Sequence, residues 1–377
     1  MNQLDSDYLQ LLRDIKENGV PKQTRNGKVL SLFGLQMKHK METGFPILTT
    51  KKVAFKTAMR ELRWFLNGDT NIKYLVDNNC HIWDGDAYKA YSEYVTQEWE
   101  NGAINELFED GLILEDSTNQ GKNISYRKLT QEEFIQKIKD CDSLPSALQM
   151  ENITDFASKW GELGPIYGKQ WIKWQGWVQY QNEDGSLGCG SLWYNQIATL
   201  ILNLKKNPDS RRLLVSAWNP AELSEMTVPP CHYSFQVYTR EISGLERWTL
   251  CNNEIDVEDP NLNSKLDELD IPTRKISLMW NQRSADIPLG LPFNFVSYGA
   301  LLHMIANEVN MIPDELIVNI GDAHIYENQL ELAKEQVNRS SHPLPMLELE
   351  KGIDAEPEDF KLINYIHEPS IKYPLSN

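Results

Sequence analysis

"KISLMWNQRSAD" (residues 275–286) is followed, six residues further on, by "PFNFVSYGALLHMIANEVN" (residues 292–310). The first segment predicts a β-strand. The second predicts an α-helix, because its apolar residues recur three or four positions apart. These apolar residues are Phe295, Tyr298, Leu302, Ile305 and Val309. A strand followed by such a helix indicates a fold that combines a sheet with helices packed on it.

The segments on either side continue this pattern. Residues 1–19 predict an amphipathic helix, and Thr24–Gly27 a loop before a strand. A helix beginning near Phe55 should stop at Asn67-Gly68. Further along, the sequence predicts a helix, then a turn at Asn207-Pro208, and then a buried strand at Leu213–Val215. "YSFQVYTR" alternates like a strand, and "ELIVNIGDAHIYENQLELAKEQV" predicts a strand, a turn and a helix.

Two acidic segments interrupt this order. Residues 85–160 are rich in acidic and amide side chains and contain short amphipathic pieces such as "TQEEFIQKIKD", which predict an inserted helical lobe without a core of its own. Residues 241–272 predict a second, loop-like interruption. We therefore expect a single domain spanning residues 1–377, with insertions at about 85–160 and 241–272.

The composition limits the class of protein. The chain has 377 residues, of which 41% are hydrophobic, and a formal net charge of −17. Such an acidic chain is a poor match for a nucleic-acid or membrane surface, although a small basic pocket for an anion remains compatible with it. No apolar run is long enough to span a bilayer, and the polar N-terminus does not resemble a signal peptide.

The five cysteines predict neither a zinc site nor a redox pair, because none lies in CxxC spacing. They are Cys80, Cys141, Cys189, Cys231 and Cys251. A reducing cytoplasm is the expected setting. No metal is predicted.

Cys231 has the most distinctive surroundings. In "EMTVPPCHYSF", Pro229 and Pro230 restrict the backbone immediately before it. A thiol so placed is a candidate nucleophile if positive charge favours its thiolate. A buried, inert cysteine is the alternative. His232 is a poor base for this thiol, because adjacent residues of a strand face opposite ways.

Other candidates for chemistry lie at predicted element ends. Arg25, Arg211-Arg212 and Arg283-Ser284 could each be surface charges, or together could clamp a phosphate through bidentate guanidinium contacts. In "GDAHIY", His324 and Tyr326 lie on one face of an extended segment and could hold a sugar hydroxyl. Glu61 lies near the apolar stripe of its helix, and a solvated carboxylate is the alternative there.

Long, collinear motifs in this chain resemble the thymidylate synthase family. They cover most of the chain outside residues 85–160 and 241–272. The motifs are "FGLQMKHKMETGFPILTTKK", "RELRWFLNGDTNIKYL", "IWD", "GPIYGKQW", "SRRLLVSAWNPAELSEMTVPPCHYSFQVY", "QRSADIPLGLPFNFVSYGALLHMIA" and "IGDAHIYENQLE". The resemblance implies an α+β fold with a large twisted sheet packed by helices, and a homodimer. It also implies transfer of a one-carbon unit from 5,10-methylenetetrahydrofolate to C5 of a deoxypyrimidine monophosphate.

The resemblance implies a role for each matching residue. Cys231 would add to C6 of the pyrimidine. Arg283 would supply positive charge near this thiolate and grip the phosphate with Arg25 and Ser284. Arg211 and Arg212 would reach the active site of the other subunit.

Further roles follow from the same resemblance. Glu61 and Tyr167 would handle protons around C4 and C5, and His324 and Tyr326 would hold the ribose. Asn294 can both donate and accept hydrogen bonds, which matches uracil and favours dUMP over dCMP. The residues expected to contact the folate are Lys51 (glutamate tail), Trp83, Asp286 (pterin, and also part of the substrate site), Leu289 and Gly290.

The C-terminus departs from the family pattern. The chain ends "SIKYPLSN", with Ser376 and Asn377 where the family has an apolar tail that excludes water. Water reaching the reaction would give a hydroxymethyl product instead of a methyl group. "GDAY" after "IWD" and the 241–272 interruption also depart from the family. Together they resemble the phage-type branch that makes hydroxymethyl-dUMP, in which case the enzyme would act in the host cytoplasm.

We therefore predict a deoxyuridylate hydroxymethylase, with thymidylate synthase as the alternative. A non-catalytic nucleotide-binding relative is a weaker alternative, since none of the expected catalytic residues is missing.

Overall fold

The computed structural model describes residues 2–101, 113–116, 124–141, 155–182, 184–251 and 255–375. The chain divides into two compact units. We call the first the sheet unit; it comprises Met1–Arg63, Trp171–Ala217 and Cys231–Ser376. We call the second the helical unit; it contains Trp64–Gln170 and Trp218–Pro230.

The described helices are, in chain order, α1 (Gln3–Asn18), α2 (Phe55–Leu66), α3 (Lys73–Asp77), α4 (Asp84–Glu100), α5 (Gln131–Asp140), α6 (Phe156–Trp160), α7 (Tyr167–Ile172), α8 (Gln196–Lys206), α9 (Gly244–Trp248), α10 (Leu262–Glu268), α11 (Gly290–Glu308) and α12 (Leu330–Val337). The described strands are β1 (Val20–Thr24), β2 (Gly27–Lys40), β3 (Ile113–Asp116), β4 (Ile124–Arg127), β5 (Trp174–Gln181), β6 (Leu187–Tyr194), β7 (Leu214–Ser216), β8 (His232–Glu241), β9 (Arg274–Asp286), β10 (Ile312–Tyr326), β11 (Met346–Glu348) and β12 (Lys361–Ile363).

The sheet unit is built on a six-stranded mixed sheet in the order β1-β2-β10-β9-β8-β7. Strands β9 and β10 run parallel, and every other neighbouring pair is antiparallel. The connection between the two parallel strands contains α11, as a parallel crossover requires. The mixed architecture confirms the α+β prediction.

Helix α11 covers one face of this sheet by packing against β9 and β10. The ring of Tyr298 stacks on that of Trp280 with centroids 4.9 Å apart, and Phe295 meets the same indole edge-on. All three side chains are buried. The helix and the strand predicted from residues 275–310 are therefore the centre of the core. On the opposite face, side chains such as Phe33 and Tyr238 are 82% and 68% exposed.

Local sequence explains the first elements. Asn2 caps α1 by accepting a hydrogen bond from the Asp5 amide, and an apolar stripe of α1 is buried. Strands β1 and β2 form a hairpin in which Thr24 pairs with Gly27. The strand of residues 20–24 was not predicted, whereas the predicted loop at Thr24–Gly27 is the turn of this hairpin. Helix α2 ends before Gly68, whose φ of 67° favours glycine.

The helical unit carries an aromatic cluster. Tyr91 of α4, Phe134 of α5 and Phe156 of α6 pack with ring centroids 5.0 to 6.0 Å apart and are buried. Thr130 and Glu133 form a reciprocal capping box at the start of α5. The predicted helices are present, but the prediction of a lobe without a core was wrong, because aromatic residues spaced along three helices converge. Residues 102–112, 117–123 and 142–154 of this segment lie outside the described chain.

The segment 241–272 is more ordered than the predicted loop. Its described part contains α9 and α10, and α9 is capped by Ser243 and Glu246. The buried Arg247 donates to Asp267 at 2.6 Å and to the Ile271 carbonyl at 2.9 Å. Leu266 is fully buried. Residues 252–254 are not described. In the described chain, no helix combines the length and apolar character needed to cross a membrane.

Candidate active site

Cys231 and Arg283 lie side by side at one end of β8 and β9. Strands β8 and β9 are antiparallel, and His232 pairs with Gln282. Cys231, which precedes His232, therefore lies next to Arg283, which follows Gln282. The Arg283 amide donates to the Cys231 carbonyl at 2.8 Å, and the guanidinium Nη2 lies 3.9 Å from the thiol Sγ. Cys231 is partly exposed. A cation beside an accessible thiol favours the thiolate, so the structure does not support the inert-cysteine alternative.

His232 is part of the core. Its Nδ1 lies 2.9 Å from the Tyr298 hydroxyl, and the side chain is buried. Burial lowers the pKa of His232 to about 3. The imidazole therefore stays neutral at ordinary pH, and it is held by Tyr298 instead of serving Cys231. This agrees with the prediction that neighbouring residues of a strand do not form a Cys-His dyad.

The backbone of Arg283 is closely approached by β10. A Cβ added to Gly321 would lie 2.8 Å from the Arg283 carbonyl oxygen, closer than real Cβ atoms come. Gly321 stands between Ile320, which pairs with Gln282, and Asp322, which pairs with Ser284. The absence of a side chain at 321 thus lets β10 lie against the strand that carries Arg283.

Asn294 is oriented by a second amide. It lies on the first turns of α11, and its Oδ1 accepts a hydrogen bond of 3.1 Å from Gln282 Nε2. Gln282 is buried, and its own Oε1 accepts from the Trp280 indole at 3.2 Å. Because Gln282 donates, the Asn294 amide presents oxygen toward it and keeps its NH2 group for other partners.

The end of β10 carries His324 and Tyr326. Their rings meet edge-on with centroids 5.2 Å apart. Asp322 Oδ1 lies 3.1 Å from His324 Nδ1, which orients the imidazole. Desolvation raises the pKa of Tyr326, and the charges of Asp286 and Cys231 raise it further, whereas a hydrogen bond with Asn26 lowers it. Tyr326 is therefore within electrostatic reach of both Cys231 and Asp286.

Asp286 ends β9 as a largely enclosed carboxylate. Its Oδ1 accepts from the Leu289 amide at 2.9 Å, and its Oδ2 accepts from Gln329 Nε2 at 2.9 Å. Burial raises the pKa of Asp286, and the Gln329 and Leu289 hydrogen bonds and the nearby His324 and Lys51 lower it. Each carboxylate oxygen has a further lone pair with which to accept from a ligand.

Lys51 is buried beneath the C-terminal segment. Its amine donates to the Pro288 carbonyl and lies 4.7 Å from the centre of the Tyr373 ring. Burial lowers the pKa of Lys51 to about 7, an effect that Asp286 opposes and Arg339 reinforces. The predicted contact of Lys51 with a glutamate tail remains a prediction, and the structure places this amine in the interior.

Glu61 is only 7% exposed on α2, so the solvated-carboxylate alternative was wrong. Burial raises the pKa of Tyr298, and the charge of Glu61 adds to this effect. Glu61 is thus a buried carboxylate close to the core tyrosine that holds His232. Buried carboxylates of this kind are candidates for acid–base chemistry.

Trp83 and Tyr167 belong to the helical unit and lie together within it. Their ring centroids are 6.0 Å apart, and Phe65 packs against Tyr167 at 4.8 Å. Both side chains are buried. The structure therefore groups the two aromatic residues that the family resemblance assigned to folate and proton handling.

The remaining predicted residues lie at element ends. Arg25 is exposed in the β1–β2 turn and donates to Asn26 Oδ1 at 3.2 Å. Arg211 and Arg212 are exposed in the turn before β7 and form no ion pair within the described chain. Ser284 lies on β9, and Leu289 and Gly290 stand at the start of α11.

The sequence did not predict several residues that hold this site. Gln282, Asp322 and Gln329 orient predicted site residues, and Tyr373 covers Lys51. Gln282 could have been noticed, because it lies in the quoted "QRSAD" motif; Gln329 and Tyr373 lie far from their partners in sequence. Among the described residues, no group of three or more histidine, cysteine or acidic side chains is arranged to hold a metal ion.

The comparisons with known proteins agree with this geometry. A family model described as "Thymidylate synthase" matches residues 6–377. A thymidylate synthase of Listeria innocua serovar 6a is 37% identical over 374 residues, which cover 98% of this chain and 99% of the relative. A thymidylate synthase of Listeria monocytogenes serovar 1/2a matches to the same extent.

A one-carbon transferase of nucleotide biosynthesis is the class of enzyme that this fold and these matches define. The chain belongs to the thymidylate synthase family, which binds dUMP and uses methylenetetrahydrofolate as co-substrate.

Proposed function

We propose that this chain transfers a one-carbon unit to C5 of dUMP through a covalent adduct of Cys231. The observation that supports this proposal best is the guanidinium of Arg283 3.9 Å from an accessible thiol. The Cys231 thiolate forms a bond to C6 of the pyrimidine, and the electron pair of the C5–C6 double bond moves toward C5 and O4. C5 thereby becomes the carbon that accepts the one-carbon unit.

The same arginine would contribute to phosphate binding. Arg283 is exposed near the end of β9 beside Ser284, so its guanidinium can pair with phosphate oxygens while it lies near the thiol. Arg25, exposed in the first hairpin, is the further member of the proposed clamp. A dianionic phosphate in an acidic protein needs such a local concentration of positive charge.

Asn294 would select the base. With its oxygen turned toward Gln282 at 3.1 Å, the amide still offers an NH2 donor and a second lone pair. Uracil presents an acceptor at O4 and a donor at N3, which fit this pattern. His324 and Tyr326 would bind the ribose, because they lie together at the end of β10 and the charge of Cys231 acts on Tyr326.

The residues proposed to hold the folate suit its polar ring. Asp286 is an enclosed carboxylate that retains acceptor capacity on both oxygens, which fits the amino and ring N–H groups of a pterin. Leu289 and Gly290 adjoin it, and Trp83 offers an aromatic surface in the helical unit. When bound, methylenetetrahydrofolate supplies the carbon. Glu61 and Tyr167 would move protons at C4 and C5.

Two products are compatible with this chemistry, and a different observation favours each of them. Full-length similarity to proteins named thymidylate synthase favours dTMP, which would form when the folate gives up a hydride to the C5 methylene and leaves as dihydrofolate. The polar Ser376-Asn377 terminus favours 5-hydroxymethyl-dUMP, formed when water adds instead. Those two residues lie outside the described chain. We rank dTMP first, because the similarity extends over 98% of the sequence.

Product analysis with dUMP and methylenetetrahydrofolate tests both steps of the proposal. Equal amounts of dihydrofolate and dTMP would establish the synthase, and tetrahydrofolate with a hydroxymethyl nucleotide would establish the hydroxymethylase. Cys231→Ser should abolish either product, whereas Cys189→Ser, which changes an exposed thiol of the β5–β6 hairpin, should retain turnover. Full turnover by Cys231→Ser would contradict the covalent mechanism, whereas binding of dUMP by the wild type without any product would favour the non-catalytic alternative.

We also propose a homodimer in which Arg211 and Arg212 complete the partner's site. Their exposure and the exposed face of the sheet, with Phe33 and Tyr238, support this arrangement. Mixing inactive Cys231→Ser with inactive Arg212→Glu should restore roughly a quarter of wild-type activity, because each mixed dimer has one intact site. Two inactive variants that never complement each other would refute shared sites.

A further inference from the structure

We infer that Gln329 is a positioning residue that joins the described C-terminal segment, residues 368–375, to the carboxylate of Asp286. This inference rests on the proposed function for its consequence in catalysis, but the contacts stand independently of it. Gln329 is fully buried at the start of α12. Its side chain touches three different parts of the sheet unit.

Both N–H groups of the Gln329 side-chain amide donate hydrogen bonds, and its oxygen accepts one. Its Nε2 donates to Asp286 Oδ2 at 2.9 Å and to the Pro374 carbonyl at 3.1 Å, and its Oε1 accepts from the Tyr326 amide at 3.1 Å. Turning the amide over would set its oxygen against a carboxylate and a carbonyl. The three partners therefore determine the orientation of the Gln329 amide, and the amide in turn holds each partner in place.

The C-terminal segment depends on such side-chain contacts, because it has no regular secondary structure. The Tyr373 hydroxyl donates to Gln336 Oε1 at 2.8 Å, and Gln336 donates to Thr50 Oγ1 at 3.1 Å. Further back, Arg339 donates to the Pro369 carbonyl. Gln329 makes the contact nearest the end of the described chain. Of Gln329, Gln336 and Arg339, Gln329 is the residue that also bonds Asp286, the proposed folate contact.

This arrangement has a consequence for the reaction. Asp286 is the proposed pterin acceptor, and Tyr326 is a proposed ribose contact. One amide therefore ties the proposed folate and nucleotide contacts to the segment that precedes the terminus. Removing the amide should release Pro374 and leave Asp286 without its Oδ2 partner. Folate binding and exclusion of water should both weaken. Binding of dUMP in the absence of folate should change little, because Tyr326 stays paired with Val29 in the sheet when its bond to Gln329 is lost.

The first test compares Gln329→Leu with wild type by hydrogen exchange without ligands. Amides of residues 368–375 should exchange on the order of tenfold faster in the variant, as expected for loss of one or two buried hydrogen bonds. Gln10→Leu, which changes an exposed glutamine of α1, is the control and should leave this exchange unaltered. Unchanged exchange at 368–375 in a folded Gln329→Leu protein would overturn the inference.

Steady-state kinetics give the second readout. The KM for methylenetetrahydrofolate should rise roughly tenfold in Gln329→Leu, with the dUMP dissociation constant within about twofold of wild type. The variant should also yield more hydroxymethyl product relative to dTMP than wild type does. If both substrates lose affinity equally, the positioning role is refuted.

Two further variants distinguish a folding defect of Gln329→Leu from a wrong inference about its hydrogen bonds. If Gln329→Leu does not fold, Gln329→Met has a similar length but lacks the two donors, and it should show the same faster exchange. In an Asp286→Asn background, the effect of Gln329→Leu on folate KM should shrink, because the two residues act through one hydrogen bond. If wild type itself does not turn over dUMP, the proposed function fails, while the exchange experiment still decides the role of Gln329.

Discussion

The pair Cys231–Arg283 and the C-terminal segment 368–375 are held in place by different means. The pair stands on neighbouring strands whose ladder extends from His232 to Glu241 and from Arg274 to Gln282, over a core of stacked aromatic rings. The C-terminal segment has no ladder. It is attached by isolated hydrogen bonds to Gln329, Gln336 and Arg339, and at its start by bonds of Glu368 with Thr49 and His342. Both regions belong to the same unit.

The difference shows how each region should respond to substitution. Many backbone hydrogen bonds share the task of placing Cys231, so a single side-chain change elsewhere should hardly move it. In the C-terminal segment each hydrogen bond holds a different residue. One substitution can therefore release part of the segment while the rest of the protein stays folded. We therefore expect substitutions in the sheet to change the rate of the chemical step and the global stability. Substitutions in the C-terminal segment should change folate affinity and the exclusion of water.

Removing the charge beside the thiol should have the largest effect. Arg283→Met is expected to lower kcat/KM for dUMP by on the order of 10²–10³, because it takes away the cation next to Cys231 and a phosphate contact. Alkylation of Cys231 by iodoacetamide should also slow, which reports thiolate content without turnover. Arg240→Met changes another partly exposed arginine of the sheet and should leave both rates near wild type. Normal alkylation in Arg283→Met would show that Arg283 does not activate the thiol.

Pushing the two parallel strands apart should affect both stability and activity. Gly321→Ala sets a methyl group 2.8 Å from the Arg283 carbonyl, so we expect a loss of about 1–3 kcal/mol in the free energy of unfolding by urea. Activity should fall as well, because Arg283 must shift. Gly176→Ala in β5, where the nearest atom lies 3.8 Å away, is the matched control. Equal stability of the two variants would contradict the close approach of β10.

Acid should weaken the sheet unit through His232. Its folded pKa of about 3 lies below the ordinary 6.5, so the unfolded chain binds an extra proton as the pH falls below 6.5. The stability that depends on neutral His232 is fully present above pH 6.5 and is lost progressively toward pH 3. Between pH 7.5 and pH 5 this loss amounts to about 2 kcal/mol.

His232→Gln should remove that part of the pH dependence. The comparison is the change in unfolding free energy from pH 7.5 to pH 5, measured by urea titration, in wild type and variant. Because each protein is compared with itself, the fixed cost of losing the Tyr298 contact cancels. Identical pH dependence in the two proteins would mean that folding does not shift the pKa of His232.

The smallest effect on global stability is expected in the C-terminal segment. Tyr373→Phe removes the hydroxyl that donates to Gln336 but keeps the ring over Lys51. Unfolding free energy should fall by no more than about 1.5 kcal/mol. Hydrogen exchange should rise within 368–375 and stay unchanged in β8 and β9. A uniform rise across the sheet would show that the segment is a cooperative part of the core.

Regular elements and motif residues could be predicted well, since both depend on local sequence. The strand and helix of residues 275–310 follow from periodicity, and α1 and α5 follow from apolar spacing and capping residues. The two helices in 241–272 were not predicted, because their positions depend on the buried Arg247 and Leu266 as well as on the cap of α9. The aromatic cluster of the helical unit also escaped prediction, because its rings come from distant positions.

The sequence by itself determined the family, and it predicted the nucleophile and the residue types of the site, because motifs such as "PPCH" and "QRSAD" are contiguous. Only the tertiary structure decided that Arg283 lies beside the thiol, that Glu61 and Lys51 are buried, and that Gln329 joins Asp286 to Pro374. The physical reason is that burial and hydrogen bonding between distant residues depend on strand register and helix packing. Those relations are set by the whole fold, whereas periodicity and capping act within a few residues.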